Sequence, residues 1–207
     1  MTTKKIIFNS DHICLESHSS AWVDWYAQER AIIHSCFAPN RVLGMEHYGS
    51  TSIQGMCAKP IVDILVGITT FELLDTEKTL LAKIGYEFIE RSSFCERFYL
   101  IKRGEKNFNL AVVLHEDDLW NMCLATREYL KIHPDVQATY TRIKNEAIAQ
   151  GYTTIDAYSR YKRNFINALS KEALQWQSSR GERELPPSHT TVRTVRYTAV
   201  HADTDKS

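Results

Sequence analysis

The sequence lacks an excess of charge of either sign. Its 207 residues include 25 Lys plus Arg and 25 Asp plus Glu. Proteins that bind DNA or RNA through a broad electrostatic surface are usually basic, so this balance argues against that class. A local basic pocket is still compatible with it. We therefore expect no nucleic-acid partner.

Cysteine and long apolar runs are also scarce. The five cysteines stand at positions 14, 36, 57, 95 and 123, and no two form a Cys-x-x-Cys pair. This spacing suggests neither a disulfide framework nor a zinc site, and free thiols fit a reducing compartment. No apolar run resembles a signal peptide or a membrane span. We expect a cytoplasmic protein without a membrane partner.

What is present is enough apolar material for a core, because 43% of the residues are hydrophobic and 11% are aromatic. The length predicts one compact domain, here residues 1–177. From Ser178 the sequence becomes polar and contains Pro186-Pro187. Residues 178–207 are therefore expected to be a flexible C-terminal tail.

The hydrophobic periodicity predicts a sheet with helices packed against it, an α/β or α+β fold. A helix over 19–37 precedes two strands, and a second helix precedes three more strand-like runs. The C-terminal part reads as helices only. The predicted strands cover 41–48, 60–68, 86–91, 94–103 and 107–114, and the later helices cover 72–84, 117–133, 135–150 and 153–177.

The segment between the first two strands is suited to an anion. Gly49 allows a tight turn and a close approach of a ligand, and Ser50 and the N–H groups after it could hydrogen-bond a phosphate. Thr51 and Ser52 add two hydroxyls. An ordinary polar loop is the alternative interpretation, because Gly-Ser pairs are common in turns.

Asp63 is the acid of an otherwise apolar strand, and alternation places it on the face of Ile61 and Leu65. A buried carboxylate needs a cation, a metal or several hydrogen-bond donors. A structural salt bridge, for example to Lys59, is one interpretation, and a metal ligand is the other. If the two strands are neighbours, Glu46 and Asp63 could together hold Mg²⁺.

Each of two predicted C-terminal helices has a lysine four residues after a tyrosine. Tyr140 and Lys144 lie four residues apart, as do Tyr158 and Lys162, so each pair shares a helix face. If both faces meet the open end of the sheet, the two lysines and Arg127 would converge near the Gly-Ser turn. The alternative is that the rings pack in the core while the lysine tips reach water.

These segments resemble the GrpB family. The stretch GMEHYGSTSIQGMCAKPIVDILV is similar to the family pattern I-E-H-x-G-S-T-S/A-V-P-G-L-x-A-K-P-I-I-D-I, and ATREYLKIHPDVQATYTRIKNEAI and YSRYKRNFINALSKEAL resemble two further blocks. The resemblance runs from about Ile13 to Trp176 and keeps the order of the blocks.

The resemblance implies a nucleotidyltransferase-like fold, in which a mixed β-sheet is flanked by helices. It implies a nucleoside triphosphate bound with Mg²⁺ and a nucleotidyl transfer to a small-molecule acceptor. Asp63 and Glu46 would be the catalytic and metal-binding acids. The implied phosphate- or substrate-binding residues are Gly49, Ser50, Thr51, Ser52, Lys59, Asn109, Arg127, Tyr140, Lys144 and Lys162.

The sequence also departs from that pattern. Ile61 and Leu65 stand where the superfamily often has a second acid, and Asn109 and Ala111 stand where the family often has His-x-His. A second hypothesis follows, in which a non-catalytic accessory module binds a nucleotide or a coenzyme-A-like phosphate. A third is different chemistry on a small substrate in a remodelled pocket.

Overall fold

A computed structural model describes residues 13–89 and 97–184, and the side chains up to residue 180. Within these ranges the strands are β1 (Val42–Tyr48), β2 (Ile61–Ile68), β3 (Glu87–Ile89), β4 (Phe98–Lys102) and β5 (Asn107–Leu114). They form one sheet in the order β1-β2-β5-β4-β3. The predicted tail, residues 178–207, and the predicted strands 86–91 and 94–103 lie partly outside the described residues.

The sheet is mixed, because β2 and β5 are parallel while the other neighbouring pairs are antiparallel. Its register brings the polar residues of three strands together. Asp63 on β2 is opposite Tyr48 on β1 and opposite Asn109 on β5. The predicted α+β architecture, a mixed sheet flanked by helices, is confirmed.

Helices cover both faces of this sheet. They are α1 (Ala21–His34), α2 (Asp75–Lys83), α3 (Asp118–Ile132), α4 (Pro134–Ala149) and α5 (Ile155–Glu184). Trp22 and Ile33 of α1 and Leu81 of α2 join the main core with the apolar side chains of one sheet face. Trp120 of α3 packs on the other face, and α4 and α5 pack beside α3.

Two opposed glycines make room for Trp120. Gly44 on β1 pairs with Gly67 on β2. A Cβ added at Gly44 would lie 2.6 Å from the Trp120 ring, and one at Gly67 would lie 2.9 Å from it. The indole therefore packs directly on the backbone of both strands. This contact fixes α3 against the half of the sheet that carries Glu46 and Asp63.

Helix ends follow the local chemistry. The Asp117 side chain caps α3 by accepting a hydrogen bond from the Trp120 N–H at 2.7 Å. Pro134 begins α4, where its missing N–H is tolerated, so the predicted stop at His133-Pro134 is confirmed. Helix α5 continues to Glu184, past the change in composition at Ser178. The flexibility expected of the remaining tail stays a prediction.

The helices of the described part of the chain were also compared with the length and hydropathy that a membrane crossing requires. Not one of them reaches both.

Candidate functional site

The turn after β1 brings the backbone against Asp63. Gly49 has a φ of +75° and a ψ of −175°, a conformation that is essentially restricted to glycine. A Cβ at this position would lie 2.4 Å from Asp63 Oδ2. A 3₁₀ turn, Ser50–Ser52, follows, and the Ser52 hydroxyl donates to the Gly49 carbonyl at 2.7 Å. The predicted turn therefore lies directly beside the carboxylate.

Lys144 of α4 fastens the loop that contains this turn. Its ammonium donates to Ser50 Oγ at 2.8 Å and to the Cys57 carbonyl at 2.7 Å. Its side chain is almost fully buried. Lys144 therefore binds the loop between β1 and β2 at two points, Ser50 and Cys57.

A cavity of about 220 Å³ opens at this end of the sheet. It is bounded by the Gly-Ser turn, by the first residues of β2 and by the facing sides of α4 and α5. The described residues that line it are Gly49, Ser50, Thr51, Ala58, Lys59, Ile61, Asp63, Tyr99, Asn109, Tyr140, Lys144, Tyr158 and Lys162. Lys144 of α4 and Lys162 of α5 therefore line the same cavity as the Gly-Ser turn, as we expected from their spacing.

Asp63 is held by an amide rather than placed in an acidic pair. Asn109 Nδ2 donates to Asp63 Oδ1 at 2.7 Å, and Arg103 donates to Asn109 Oδ1 at 2.8 Å. Burial raises the pKa of Asp63 above its ordinary value. The Asn109 hydrogen bond and the positive charges of Lys59, Lys162 and Arg103 limit that rise.

The two helix lysines lie beside neutral groups, Lys144 buried and Lys162 half-buried. Lys162 Nζ lies 3.4 Å from the Tyr140 hydroxyl and 4.2 Å from the centroid of the Tyr158 ring. Burial lowers the pKa of Lys162 to about 8, although Asp63 opposes this shift. Burial, followed by repulsion from Lys162, lowers the pKa of Lys144 to about 7. The positive charge of the cavity therefore changes close to neutral pH.

Glu46 and Arg127 are not among the residues that line the cavity; they form an ion pair with each other. Arg127 donates to Glu46 Oε2 at 2.7 Å and to the His47 carbonyl at 2.9 Å, and its Nε binds Glu128 at 2.7 Å. Glu46 lies on the same sheet face as Asp63, but opposite Leu65. Arg127 therefore does not join the two lysines in the cavity, contrary to expectation. Glu46 does not complete an acidic pair with Asp63, because it pairs with Arg127.

The residues present do not fit a two-metal site. Across residues 13–89 and 97–184, no group of three or more Asp, Glu, His and Cys side chains comes close enough to hold a metal ion. Asn109 could have offered an oxygen, but that oxygen accepts from Arg103. Asp63 is the one carboxylate among the described residues that line the cavity.

The remaining predicted residues divide between lining and support. Thr51 lines the cavity, yet its hydroxyl donates to the Ile61 carbonyl at 3.3 Å and contacts His47 Nε2 at 3.0 Å. Ser52 supports the Gly49 carbonyl and is not part of the lining. These hydroxyls shape the turn.

Sequence reasoning missed Tyr99 and Arg103. The hairpin between β4 and β5 places Tyr99 opposite Ala111 and Ile101 opposite Asn109. Tyr99 therefore packs in the same cluster as Ala111, at the position where the resemblance leads us to expect a histidine. Counting outward from the predicted turn at residues 104–106 could have found this pairing. The role of Arg103 as a clamp on Asn109 has no comparable signal.

Comparisons with known proteins support the resemblance. The protein-family model described as GrpB protein matches residues 12–172 of this chain. A protein named Glutamate-rich protein GrpB from Alkalihalophilus pseudofirmus is 29% identical over 79% of this chain and 97% of its own length. A UPF0157 protein of Pseudomonas aeruginosa is 30% identical over 86% of this chain and 77% of its own.

One solved structure in particular agrees with this assignment. The crystal structure of conserved protein GrpB from Enterococcus faecalis has a TM-score of 0.73 and 29% identity, covering 80% of this chain and 99% of that chain. The Cid1 poly(U) polymerase is a distant neighbour, with a TM-score of 0.46 and 14% identity over 70% of this chain and 49% of that chain.

Proposed function

The chain belongs to the GrpB family, and on that premise we propose that its cavity binds the phosphate groups of a nucleotide without requiring a divalent cation. The observation that carries this proposal is the charge of the cavity. Lys59, Lys144 and Lys162 line it together with a single described carboxylate, that of Asp63. A cavity with more cations than anions attracts an anion, and low local polarity strengthens that attraction.

Donor geometry supports a phosphate in particular. The Gly49-Ser50 turn offers backbone N–H groups and a hydroxyl next to the lysines, a combination that recurs at phosphate sites. Lysine ammonium groups donate charge-assisted hydrogen bonds to phosphate oxygens. Because Lys144 and Lys162 extend from α4 and α5, and Lys144 also holds Ser50, these groups lose little side-chain freedom when an anion binds.

A cation-independent site follows from what surrounds Asp63. Asn109 already occupies one of its oxygens, and Lys59, Lys162 and Arg103 supply positive charge that a metal ion would otherwise provide. Mg²⁺ usually binds through one or two carboxylates plus substrate phosphates. With one carboxylate, already compensated by cations, the cavity favours the anion itself.

Titration calorimetry with ATP, in the presence of EDTA and in the presence of Mg²⁺, tests the proposal. We expect binding in both conditions, with Lys162→Met weakening it about tenfold to hundredfold, since a charge-assisted hydrogen bond contributes about 1.5–3 kcal/mol. Lys171→Met is the matched control, because Lys171 is an exposed lysine on the same helix. Its affinity should stay that of the unmodified chain.

Asp63→Asn separates this proposal from Mg²⁺-dependent nucleotidyl transfer. Removing the negative charge should leave metal-free binding equal or stronger, because Asp63 repels a phosphate. If ATP binds only with Mg²⁺, and Asp63→Asn abolishes that binding, the catalytic alternative is favoured instead. The catalytic alternative is worth testing because Asp63 lies in the same cavity as the Gly-Ser turn.

A further inference from the structure

Resting on the proposed phosphate site, we propose that the cavity recognises a polyphosphate chain and not the nucleoside attached to it. Inorganic triphosphate and nucleoside triphosphates with different bases would then bind with similar affinity. The class of ligand is thus set by the number of phosphoryl groups. Four features of the cavity support this inference: its aromatic rings, the order of its cations, its size and the Asn109 amide.

The aromatic rings of the lining already carry cations. The Lys144 ammonium lies 4.2 Å from the centroid of the Tyr140 ring, and the Lys162 ammonium lies 4.2 Å from that of Tyr158. Tyr99 has the guanidinium of Arg97 at 4.7 Å. Proteins that hold a base without reading its sequence usually stack it on such rings. Here cation–π contacts occupy the three tyrosines of the described lining instead.

The lysines follow one another along the cavity. Lys162 lies over both tyrosines, at 5.6 Å from the Tyr140 centroid in addition to its contact with Tyr158. Lys144 shares Tyr140 with it, and Lys59 shares Tyr158 at 5.6 Å. Lys162 is therefore the middle cation of the three. Spaced cations of this kind match successive phosphoryl groups better than they match one compact anion.

The size of the cavity and its amide point the same way. Its volume of about 220 Å³ is below the roughly 300–1,000 Å³ of sites that enclose a drug-sized ligand. A nucleoside would therefore extend outside. Asn109, whose amide could read the edge of a base, is held by Asp63 at its nitrogen and by Arg103 at its oxygen.

Competition calorimetry on the full chain tests this inference with four probes: inorganic triphosphate, ATP, GTP and adenosine. We expect the three triphosphates to agree within about threefold, a difference below 1 kcal/mol, and adenosine not to compete. Lys162→Met should weaken all three triphosphates by the same factor. Lys171→Met should weaken none of them.

A preference of more than about tenfold between ATP and GTP, or for either over inorganic triphosphate, would overturn the inference while leaving the phosphate site intact. Competition by adenosine would overturn it as well. If none of the triphosphates binds, the proposed function fails together with it. The two failures are therefore distinguishable in one set of titrations.

Discussion

Lysines that reach into the protein occur on both faces of the sheet, Lys144 buried and Lys102 and Lys162 half-buried, and their partners differ between the two faces. On the α1 face, Lys102 donates to both oxygens of Glu29, at 2.8 and 3.1 Å. On the α4–α5 face, Lys144 donates to a serine hydroxyl and a backbone carbonyl, and Lys162 lies beside tyrosines. Lys102 is paired directly with a carboxylate, whereas the hydrogen-bond partners of Lys144 and Lys162 are neutral groups.

The difference separates structural charges from charges available to a ligand. A lysine paired with a carboxylate in the interior has its counter-ion already, so it adds little attraction for an anion. A lysine held by neutral groups has no counter-ion to offset the cost of burying its charge, so burial lowers its pKa. We infer that the α4–α5 face stores unfavourable charge that a bound anion would relieve.

The largest expected effect comes from breaking the paired lysine. Lys102→Met leaves Glu29, which is 4% exposed, without its cation. Removing one partner of a buried pair costs about 3–5 kcal/mol, because the other charge stays buried, and the 25% exposure of the Lys102 side chain places this pair at the lower end of that range. Urea unfolding should show a loss of stability of this order. Lys162→Met should cause no comparable loss, because it removes a charge that burial disfavours at the same time as it weakens the compensation of Asp63.

A double variant provides the control for this contrast. Glu29→Leu combined with Lys102→Met removes both charges and should recover most of the stability, since an apolar replacement of a buried pair is often neutral. A double variant as unstable as the single one would mean that packing, and not the unpaired charge, causes the loss.

The second prediction concerns the turn. Gly49→Ala forces an alanine into a conformation restricted to glycine and brings its Cβ within 2.4 Å of Asp63 Oδ2. We expect a loss of at least about 1–3 kcal/mol of unfolding free energy together with weakened triphosphate binding. Gly104→Ala is a suitable control, because a Cβ at Gly104 meets nothing within 4 Å. Equal losses in both variants would contradict the role assigned to Gly49.

The order of strands and helices, and the nearness of the Gly-Ser turn to Asp63, were predictable because periodicity and a continuous motif encode them. The meeting of Lys144 with Lys162 followed from equal spacing on two helices. The Glu46–Arg127 pair was not predictable, because it depends on where Trp120 places α3. The hydrogen bond from Lys144 to the Cys57 carbonyl was also not predictable, because every residue has a backbone carbonyl and the residue type does not show which one accepts.

The third prediction uses pH to test whether the positive charges of Lys144 and Lys162 destabilise the folded chain. The folded-state pKa values of Lys144 and Lys162 are lowered to about 7 and about 8, while an unfolded lysine titrates near 10.4. Above pH 7 the unfolded chain therefore binds more protons than the folded chain, and stability rises with pH. Each lysine can contribute up to about 1.4 kcal/mol per pH unit.

The measurement is the free energy of unfolding from pH 7 to about pH 9.5, in the chain without added ligand, compared with Lys144→Met/Lys162→Met. Comparing the two slopes removes the contributions of other groups, among them Cys36 and the buried tyrosines, whose folded pKa values are raised. The unmodified chain should gain more stability with pH than the double variant. Parallel slopes would show that these lysines titrate normally in the folded chain.

The smallest effect is expected where an ion pair meets water. Arg142 and Glu146 pair at 2.7 Å across one turn of α4, but their side chains are 64% and 40% exposed. Exposed pairs at this spacing contribute about 0.3–0.5 kcal/mol, so Arg142→Gln should change stability by no more than that in urea unfolding. Its N–O distance is as short as that of Lys102 and Glu29, although the predicted losses differ severalfold. If Arg142→Gln proved as costly as Lys102→Met, distance rather than desolvation would govern these charges, and the contrast between the two faces of the sheet would lose its basis.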